Sequence, residues 1–203
     1  MQNKNINKTK KGQTTEKKIF DAALDLIKVK GFENTTIIDI CEAAGVSNGS
    51  FYHHFNSKQD ILINYIKQES TDLINYYKSL DKESYSAALQ IIVKYQISYF
   101  IIKGYDFVTN FYSIMLLSKN SYYDFSSFAI RKILLDCFEN GQKNKEFSDK
   151  FSAQFMSDTA FSLLYTSSTA WCMAEGNFDL HEDVRKNFLM LAEAFKSDNS
   201  SDF

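Results

Sequence analysis

The chain contains no proline and only seven glycines in 203 residues. Proline interrupts helices and punctuates loops, so a chain without it can form long continuous helices. Hydrophobic residues make up 44% of the sequence and charged residues 24%, which is ordinary for a globular protein. The composition therefore favours a soluble all-α protein, and the length suits one domain or a small module joined to a larger one.

Neither a membrane segment nor a cysteine-based site is indicated. No stretch approaches the roughly 18 consecutive apolar residues of a membrane span, and the basic N-terminus lacks the apolar region of a signal peptide. Cys41, Cys137 and Cys172 are far apart and have no metal-ligand spacing. We expect a cytoplasmic protein with no cofactor or metal and with buried cysteines, and a weaker hypothesis of redox sensing stays open for Cys41.

Positive charge is concentrated at the N-terminus. Residues 1–18 hold six lysines against one glutamate, whereas the part after residue 60 holds 14 basic against 18 acidic residues. We interpret residues 1–12 as a basic flexible tail. Such a tail bears on function only if a nucleic-acid-binding module follows it.

Three short helical segments follow this tail. Apolar residues recur at spacings of three and four and predict a first helix over about 15–30, which Gly31 ends as a left-handed residue. Thr36 with Asp39 forms a capping-box pattern, which predicts the start of a second helix. Ser47 then predicts the start of a third helix, after a turn that contains a glycine.

Longer helices are predicted from Ser57 onward, where Asp60 completes a second capping-box pattern. The apolar periodicity and the glycines place the remaining helices at about 84–103, 106–118, 122–140 (ended by Gly141), 151–175 (ended by Gly176) and 180–196. We therefore predict about nine helices, with a small N-terminal module over 13–60 and a larger helical domain over 61–203.

Residues 36–55 have the pattern of a helix-turn-helix, in which the second helix presents its N-terminal residues to the major groove of DNA. Phe51 and Phe55 are four residues apart, so both can face the core of the module. The other residues of this helix are small, polar or aromatic with a polar group. A plain helical hairpin within an α-helical core is the alternative.

The segment from Lys18 to Ile66 resembles the N-terminal domain of the TetR family of bacterial regulators. The resemblance lies in a GF-x-x-TT element, an AGVS turn, a G-x-[FL]-Y-x-H-F run and a closing SK, found here at Gly31 to Thr36, Ala44 to Ser47, Gly49 to Phe55, and Ser57 with Lys58. These motifs cover about a quarter of the chain. One departure is Cys41, where the family usually has alanine.

The resemblance implies that the module binds a double-stranded DNA operator. Phosphate contacts are then expected from Thr35, Thr36, Ser47, Gly49, Ser50, Tyr52, His54 and Lys58. We expect contacts to base edges from Asn48 and His53. A metal site at His53 and His54 is less favoured, because adjacent helical side chains point about 100° apart.

The resemblance also implies that the larger domain dimerises and commonly holds a small-molecule pocket. Aromatic residues suited to an apolar or aromatic effector are Tyr99, Phe100, Phe107, Phe111, Tyr112, Phe128 and Tyr165. Candidates for a dimer interface on the last two helices are Leu164, Ser168, Trp171, Phe188, Leu191 and Phe195. Both sets are equally compatible with an ordinary core.

Taken together, these patterns predict a homodimeric transcriptional repressor that binds a pseudo-palindromic operator and is released by an unidentified effector. A regulator of the same class without a small-molecule effector, either an activator or one controlled by a protein partner, is the alternative. An α-helical enzyme ranks last, because no Gly-rich phosphate loop, metal-ligand pattern or Ser/His/acid spacing stands out.

Overall fold

The structure is a computed structural model that describes residues 10–117 and 129–197, and within these ranges the chain forms nine α-helices and no strand. The helices are α1 (Lys10–Lys30), α2 (Ile37–Ala44), α3 (Asn48–His54), α4 (Lys58–Ser79), α5 (Tyr85–Lys103), α6 (Tyr105–Leu117), α7 (Ala129–Lys143), α8 (Ala153–Met173) and α9 (Leu180–Phe195). The all-α prediction is confirmed. No helix in the described ranges is long and apolar enough to cross a bilayer.

Helix α1 begins earlier than the apolar pattern indicates. It starts at Lys10 rather than near residue 15, so Lys10 to Gly12 are helical and do not belong to a flexible tail. The first turns of α1 are polar and carry no apolar period from which a helix can be recognised. Residues 1–9 of the predicted tail lie outside the described residues. The predicted stop is confirmed, because Gly31 has a φ of 79° and donates its N–H to the Ile27 carbonyl at 2.9 Å.

The chain divides into two compact units between Ile66 and Lys67, within α4. The core of the first unit is a cluster of buried side chains from its four helical segments: Ile19, Ala23, Ile40, Cys41, Phe51, Phe55 and Ile61. Burial of several large apolar side chains at about 1.5–3 kcal/mol each holds these short helices together. Isolated helices as short as α2 and α3 are not stable in water.

In the second unit, aromatic residues pack where α7, the segment after it and the end of α9 meet. The ring of Phe138 lies 4.9 Å from that of Phe147 and 5.9 Å from that of Phe195, measured between centroids. Tyr77 of α4 donates its hydroxyl to the Asp136 carboxylate at 2.5 Å. This bond joins the C-terminal part of α4 to α7.

A carboxylate from a distant part of the chain caps α5. Glu146 accepts hydrogen bonds from the Ser84 hydroxyl at 2.7 Å, from the Tyr85 N–H at 3.0 Å and from the Ser86 N–H at 2.9 Å. These amides at the start of α5 have no partner within the helix. Glu146 therefore fixes the loop after α7 to the start of α5.

The prediction that Gly141 ends α7 is wrong. Helix α7 continues to Lys143, and Gly141 is buried inside it. A Cβ at this position would lie 2.4 Å from the ring of Phe147, so glycine is needed for close packing. The left-handed residue after the helix is instead Lys145, with a φ of 60°. The part of the predicted helix over 122–128 lies outside the described residues.

Candidate DNA-binding interface

Helices α2 and α3 are joined by a tight turn that their end residues stabilise. Gly45 adopts a left-handed conformation with a φ of 65°, and the Val46 N–H bonds to the Cys41 carbonyl at 3.0 Å. Left-handed backbone favours glycine because a side chain there is strained. The turn brings two short helices together as predicted for residues 36–55.

The capping box of α2 is formed as the sequence predicts. The Thr36 hydroxyl oxygen accepts from the Asp39 N–H at 3.1 Å, and the Asp39 carboxylate accepts from the Thr36 N–H at 2.8 Å. The same carboxylate forms an ion pair with Lys30 at 3.0 Å. The Thr36 N–H first, and then Lys30 and the Thr36 hydroxyl, lower the pKa of Asp39 to about 2. This negative charge at the start of α2 is thus partly neutralised within the module.

Helix α3 is anchored by its two phenylalanines. Phe51 has no exposed surface, Phe55 is 2% exposed, and their rings lie 5.8 Å apart. At the other end of the helix, the Ser47 hydroxyl oxygen accepts from the Ser50 N–H at 3.2 Å. The prediction that both phenylalanines face inward is confirmed. Core packing therefore holds α3, a helix of only two turns, in a fixed orientation.

The remaining residues of α3 are exposed or half-buried. Tyr52 is 57% exposed, and its ring is held edge-on against Phe51 with centroids 5.4 Å apart. Asn48, Gly49 and His53 are also exposed, whereas Ser50 and His54 are half-buried. Asparagine, histidine and tyrosine side chains can donate and accept hydrogen bonds, as base edges and phosphates require.

Two capping hydroxyls keep a donor available. Thr36 and Ser47 are exposed and use only their oxygen atoms as acceptors in the caps described above. A hydroxyl that accepts one hydrogen bond still has its own proton to donate. Both residues can therefore donate to a phosphate without losing their structural role.

Gly49 leaves open space beside α3. A Cβ at this position would meet nothing nearer than the Ser47 hydroxyl oxygen at 3.8 Å. The fold itself does not require glycine here. The bare backbone instead permits close approach of a group from outside the module.

Thr35 and Lys58 have internal partners that the sequence did not reveal. Thr35 is 1% exposed and donates its hydroxyl to the Gly31 carbonyl at 2.8 Å, so it stabilises the loop before α2 and is not on the surface. The Lys58 ammonium donates to the Phe32 carbonyl at 2.5 Å and lies 4.2 Å above the Phe32 ring. Of the ten residues predicted to contact DNA, these two are directed into the module.

The two adjacent histidines do not assemble with further ligands. The rings of His53 and His54 are 5.0 Å apart and nearly perpendicular. Within residues 10–117 and 129–197, no group of three or more histidine, cysteine or acidic side chains is arranged to hold a metal ion. The cysteines are free thiols, and burial raises the pKa of the Cys41 thiol, which makes it less reactive.

Residues 19–65 match the family model described as bacterial regulatory proteins, tetR family. A stretch of 71 residues is 37% identical to the HTH-type transcriptional repressor KstR2 of Rhodococcus jostii, an alignment that covers 35% of this chain and 34% of that protein. Residues 19–65 therefore form a DNA-binding domain of the TetR family. The chain matches only about a third of the length of KstR2.

Two further similarities extend over most of the chain. The fatty acid metabolism regulator protein of Bacillus subtilis is 22% identical over 173 residues, which cover 80% of this chain and 86% of that one. The crystal structure of the TetR-family repressor FadR of Thermus thermophilus, in complex with lauroyl-CoA, superposes with a TM-score of 0.72 at 22% identity. It covers 93% of this chain and all of the FadR chain, which shows that the two share their fold.

In the larger unit, the aromatic residues predicted to line an effector pocket contact one another. The ring of Phe100 lies 6.3 Å from Phe111 and 6.2 Å from Tyr112, and the ring of Tyr112 lies 5.0 Å from Tyr165. Tyr99 packs beside Phe100 at 6.1 Å, and Phe107 is buried. Phe128 lies outside the described residues. A cavity of about 420 Å³ is found elsewhere, between α5, α7 and α9, and none of these residues lines it.

The residues predicted for a dimer interface are instead part of the subunit core. They are all 8% exposed or less: Leu164, Ser168, Trp171, Phe188, Leu191 and Phe195. Apolar periodicity identified the buried face of each helix, and these side chains are covered within the single chain. The exposed face of α8 carries Phe155, Ser162, Thr166 and Met173, which recur at spacings of seven, four and seven.

Proposed function

We propose that this TetR-family protein is a homodimeric transcriptional repressor that binds a pseudo-palindromic DNA operator and is released by a small-molecule effector. The observation that carries the DNA-binding part is the construction of α3. Phe51 and Phe55 fix the helix to the core, while Asn48, Tyr52 and His53 stand exposed on it. A short helix with a rigid orientation and exposed polar side chains is suited to the major groove.

The proposed contacts separate into two kinds. Asn48 and His53 read base edges, because amide and imidazole groups match the donor and acceptor pattern of the major groove. Thr36, Ser47 and Tyr52 donate hydroxyl protons to phosphates, and Gly49 allows the backbone to approach. The geometry does not support Thr35 as a direct contact, and Lys58 acts mainly by holding the loop before α2.

The proposed dimer uses the exposed faces of α8 and α9. Met173 is 87% exposed and Met190 is 66% exposed, and both belong to these helices. Ser162 and Thr166 lie between the larger exposed residues of α8 and permit close approach of a second copy. Two-fold symmetry then places two α3 helices about one turn of DNA apart, near 10 base pairs.

Selection from random duplex DNA with the full chain, followed by footprinting, tests the DNA-binding part. We expect enrichment of one inverted repeat with two protected half-sites about 10 base pairs apart. Recovery of no common sequence, or protection of one isolated half-site, would contradict the proposal.

Sedimentation of Thr166→Arg tests the dimer. The wild-type chain is expected to sediment as a dimer, and the variant as a monomer, because an arginine at a closely packed position separates the two copies. Asn75→Arg is the matched control, since Asn75 is exposed on α4, outside the proposed interface. If both variants remain dimeric at the lowest concentration, the interface lies elsewhere.

Effector control is supported by the cavity between α5, α7 and α9, which falls within the size range of about 300–1,000 Å³ for small-molecule sites. The neighbour FadR was crystallised with lauroyl-CoA, which shows that the same fold accommodates an acyl ligand in that protein. An effector acts only if it binds the DNA-free conformation more tightly.

A second function is favoured by the aromatic cluster around Phe100. The rings of Phe100, Phe111 and Tyr112 contact one another at the place where an apolar effector was expected. This packing supports a regulator without a small-molecule effector, either an activator or one controlled by a protein partner. Under that alternative, no ligand of the α5/α7/α9 cavity changes operator affinity.

A further inference from the structure

The cavity between α5, α7 and α9 belongs wholly to the larger unit and has a volume of about 420 Å³. Small-molecule sites in proteins have volumes of about 300–1,000 Å³, so this cavity has the size of a small-molecule site.

The inner wall of the cavity is apolar. It is formed by buried side chains from α5, α7, the segment after α7 and α9, among them Leu89, Ile97, Phe138, Phe147 and Phe195. Apolar walls offer water few hydrogen-bond partners, so hydrocarbon is favoured over water there. The wall therefore selects an aliphatic or aromatic body.

The acidic groups at the rim of the cavity already have partners. Asp179 accepts from the Glu182 N–H at 3.0 Å and caps α9. The Glu182 carboxylate accepts two hydrogen bonds from Arg185, at 2.7 and 2.8 Å. These interactions engage one oxygen of Asp179, both oxygens of Glu182 and the Arg185 guanidinium group.

Lys94 differs from the other charged groups at the rim. It is exposed on α5, one residue after the cavity-lining Val93, and makes no hydrogen bond or ion pair with the residues that the structure describes. His181, the remaining titratable side chain of the lining, faces the Ser98 hydroxyl at 3.3 Å. Lys94 is therefore the cation that can pair with a ligand at the mouth of the cavity.

We infer that the cavity binds a monoanionic amphiphile, whose apolar body contacts the buried wall around Phe138 and Phe195 and whose anionic headgroup pairs with Lys94. The inference rests on the proposed function in one respect, because it takes this ligand to be the effector that releases DNA. Binding itself involves residues of the larger unit and is measured without DNA.

Isothermal titration calorimetry of the full chain with dodecanoate, which has a hydrocarbon chain and one carboxylate, tests the site. We expect one dodecanoate per chain, and Lys94→Gln should weaken binding about tenfold, because a charge-assisted hydrogen bond is lost. Lys132→Gln is the matched control, since Lys132 is exposed on α7 outside the cavity lining. Its affinity should equal that of the wild type.

Ala192→Phe tests the location independently, because Ala192 lines the cavity and a larger side chain there fills it. The variant should keep its helical circular dichroism and lose dodecanoate binding. Dodecyltrimethylammonium, with the same tail and a positive headgroup, should bind at least tenfold more weakly than dodecanoate. Equal binding of the two probes, an unchanged affinity of Lys94→Gln, or full binding by Ala192→Phe would each overturn the inference.

Operator affinity, measured in parallel, separates this inference from the proposed function. Dodecanoate that binds as expected but leaves operator affinity unchanged supports the site and contradicts release by an effector at this site. Operator release by dodecanoate that persists in Ala192→Phe supports effector control and overturns the assignment of the ligand to this cavity.

Discussion

Glu146→Gln removes the charge from the carboxylate that caps α5 while keeping nearly the same volume. The carboxylate accepts three hydrogen bonds, whereas the amide presents one oxygen and two donors of its own. Hydrogen bonds to a charged group contribute about 1.5–3 kcal/mol, and a carboxylate at a helix start adds about 0.3–1 kcal/mol. Since Glu146 is only half-buried, hydrogen bonds to water replace part of this stabilisation in the variant. We therefore expect a loss of about 1–2 kcal/mol in the free energy of unfolding.

Urea unfolding followed by tryptophan fluorescence measures this loss, because the single tryptophan, Trp171, is buried in α8 of the same unit. Glu139→Gln is the control, since Glu139 is exposed on α7 and its replacement should change stability by less than about 0.5 kcal/mol. If the two variants are equally stable, the cap does not contribute as argued.

The pH dependence of the same difference provides a second test. Desolvation raises the pKa of Glu146, but hydrogen bonds from Ser86, Ser84 and Tyr85 outweigh it and hold the pKa below the usual 4.5. A depressed pKa in the folded state stabilises the protein above the unfolded pKa, and this contribution is lost as the pH falls through the folded value. The free energy of unfolding of the wild type should therefore exceed that of Glu146→Gln by the full amount at neutral pH. The difference should shrink progressively below about pH 4.5. A difference that stays constant to about pH 3 would refute the reasoning.

Two further predictions concern helix ends and packing. Gly141→Ala should destabilise the larger unit by about 1–2 kcal/mol in urea unfolding. The reason is that the clash of the new methyl group with Phe147 exceeds the gain in helix propensity. A neutral or stabilising effect would show that Phe147 moves aside freely. In thermal unfolding, Thr36→Ala should lower the free energy of unfolding of the first unit by about 1 kcal/mol, because the capping box is lost. Thr36→Ser keeps the hydroxyl and should retain most of this stability. Equal losses in both variants would exclude the hydroxyl as the cause.

Local patterns account for the parts of the fold that the sequence predicted well. Thr36 and Ser47 stabilise helix starts through residues only three positions away, so the chain itself displays the relevant partners. The inward orientation of Phe51 and Phe55 follows from their spacing in the same way. These features depend on neighbours in sequence and are visible before any tertiary contact is known.

Several of the errors involve partners that no local sequence pattern indicates. Lys58 lies 26 residues from the carbonyl it contacts, and no local pattern shows that its ammonium is engaged. Gly141 resembles a helix end unless the ring of Phe147 is known to lie above it. Leu164 and Phe188 are apolar at helical spacing, which predicts burial but does not say whether the subunit or a second copy covers them.

Binding of the full chain to its selected operator, and to every single-base variant of one half-site, tests the central claim most directly. Asn48→Ala should lose about 1–3 kcal/mol at one base position and relax the preference there, because its amide reads a base edge. Tyr52→Phe should weaken binding by about 1 kcal/mol on all sequences alike, because its hydroxyl meets only a phosphate. A uniform loss in Asn48→Ala, or an altered base preference in Tyr52→Phe, would contradict the assignment of α3 as the recognition helix with these roles.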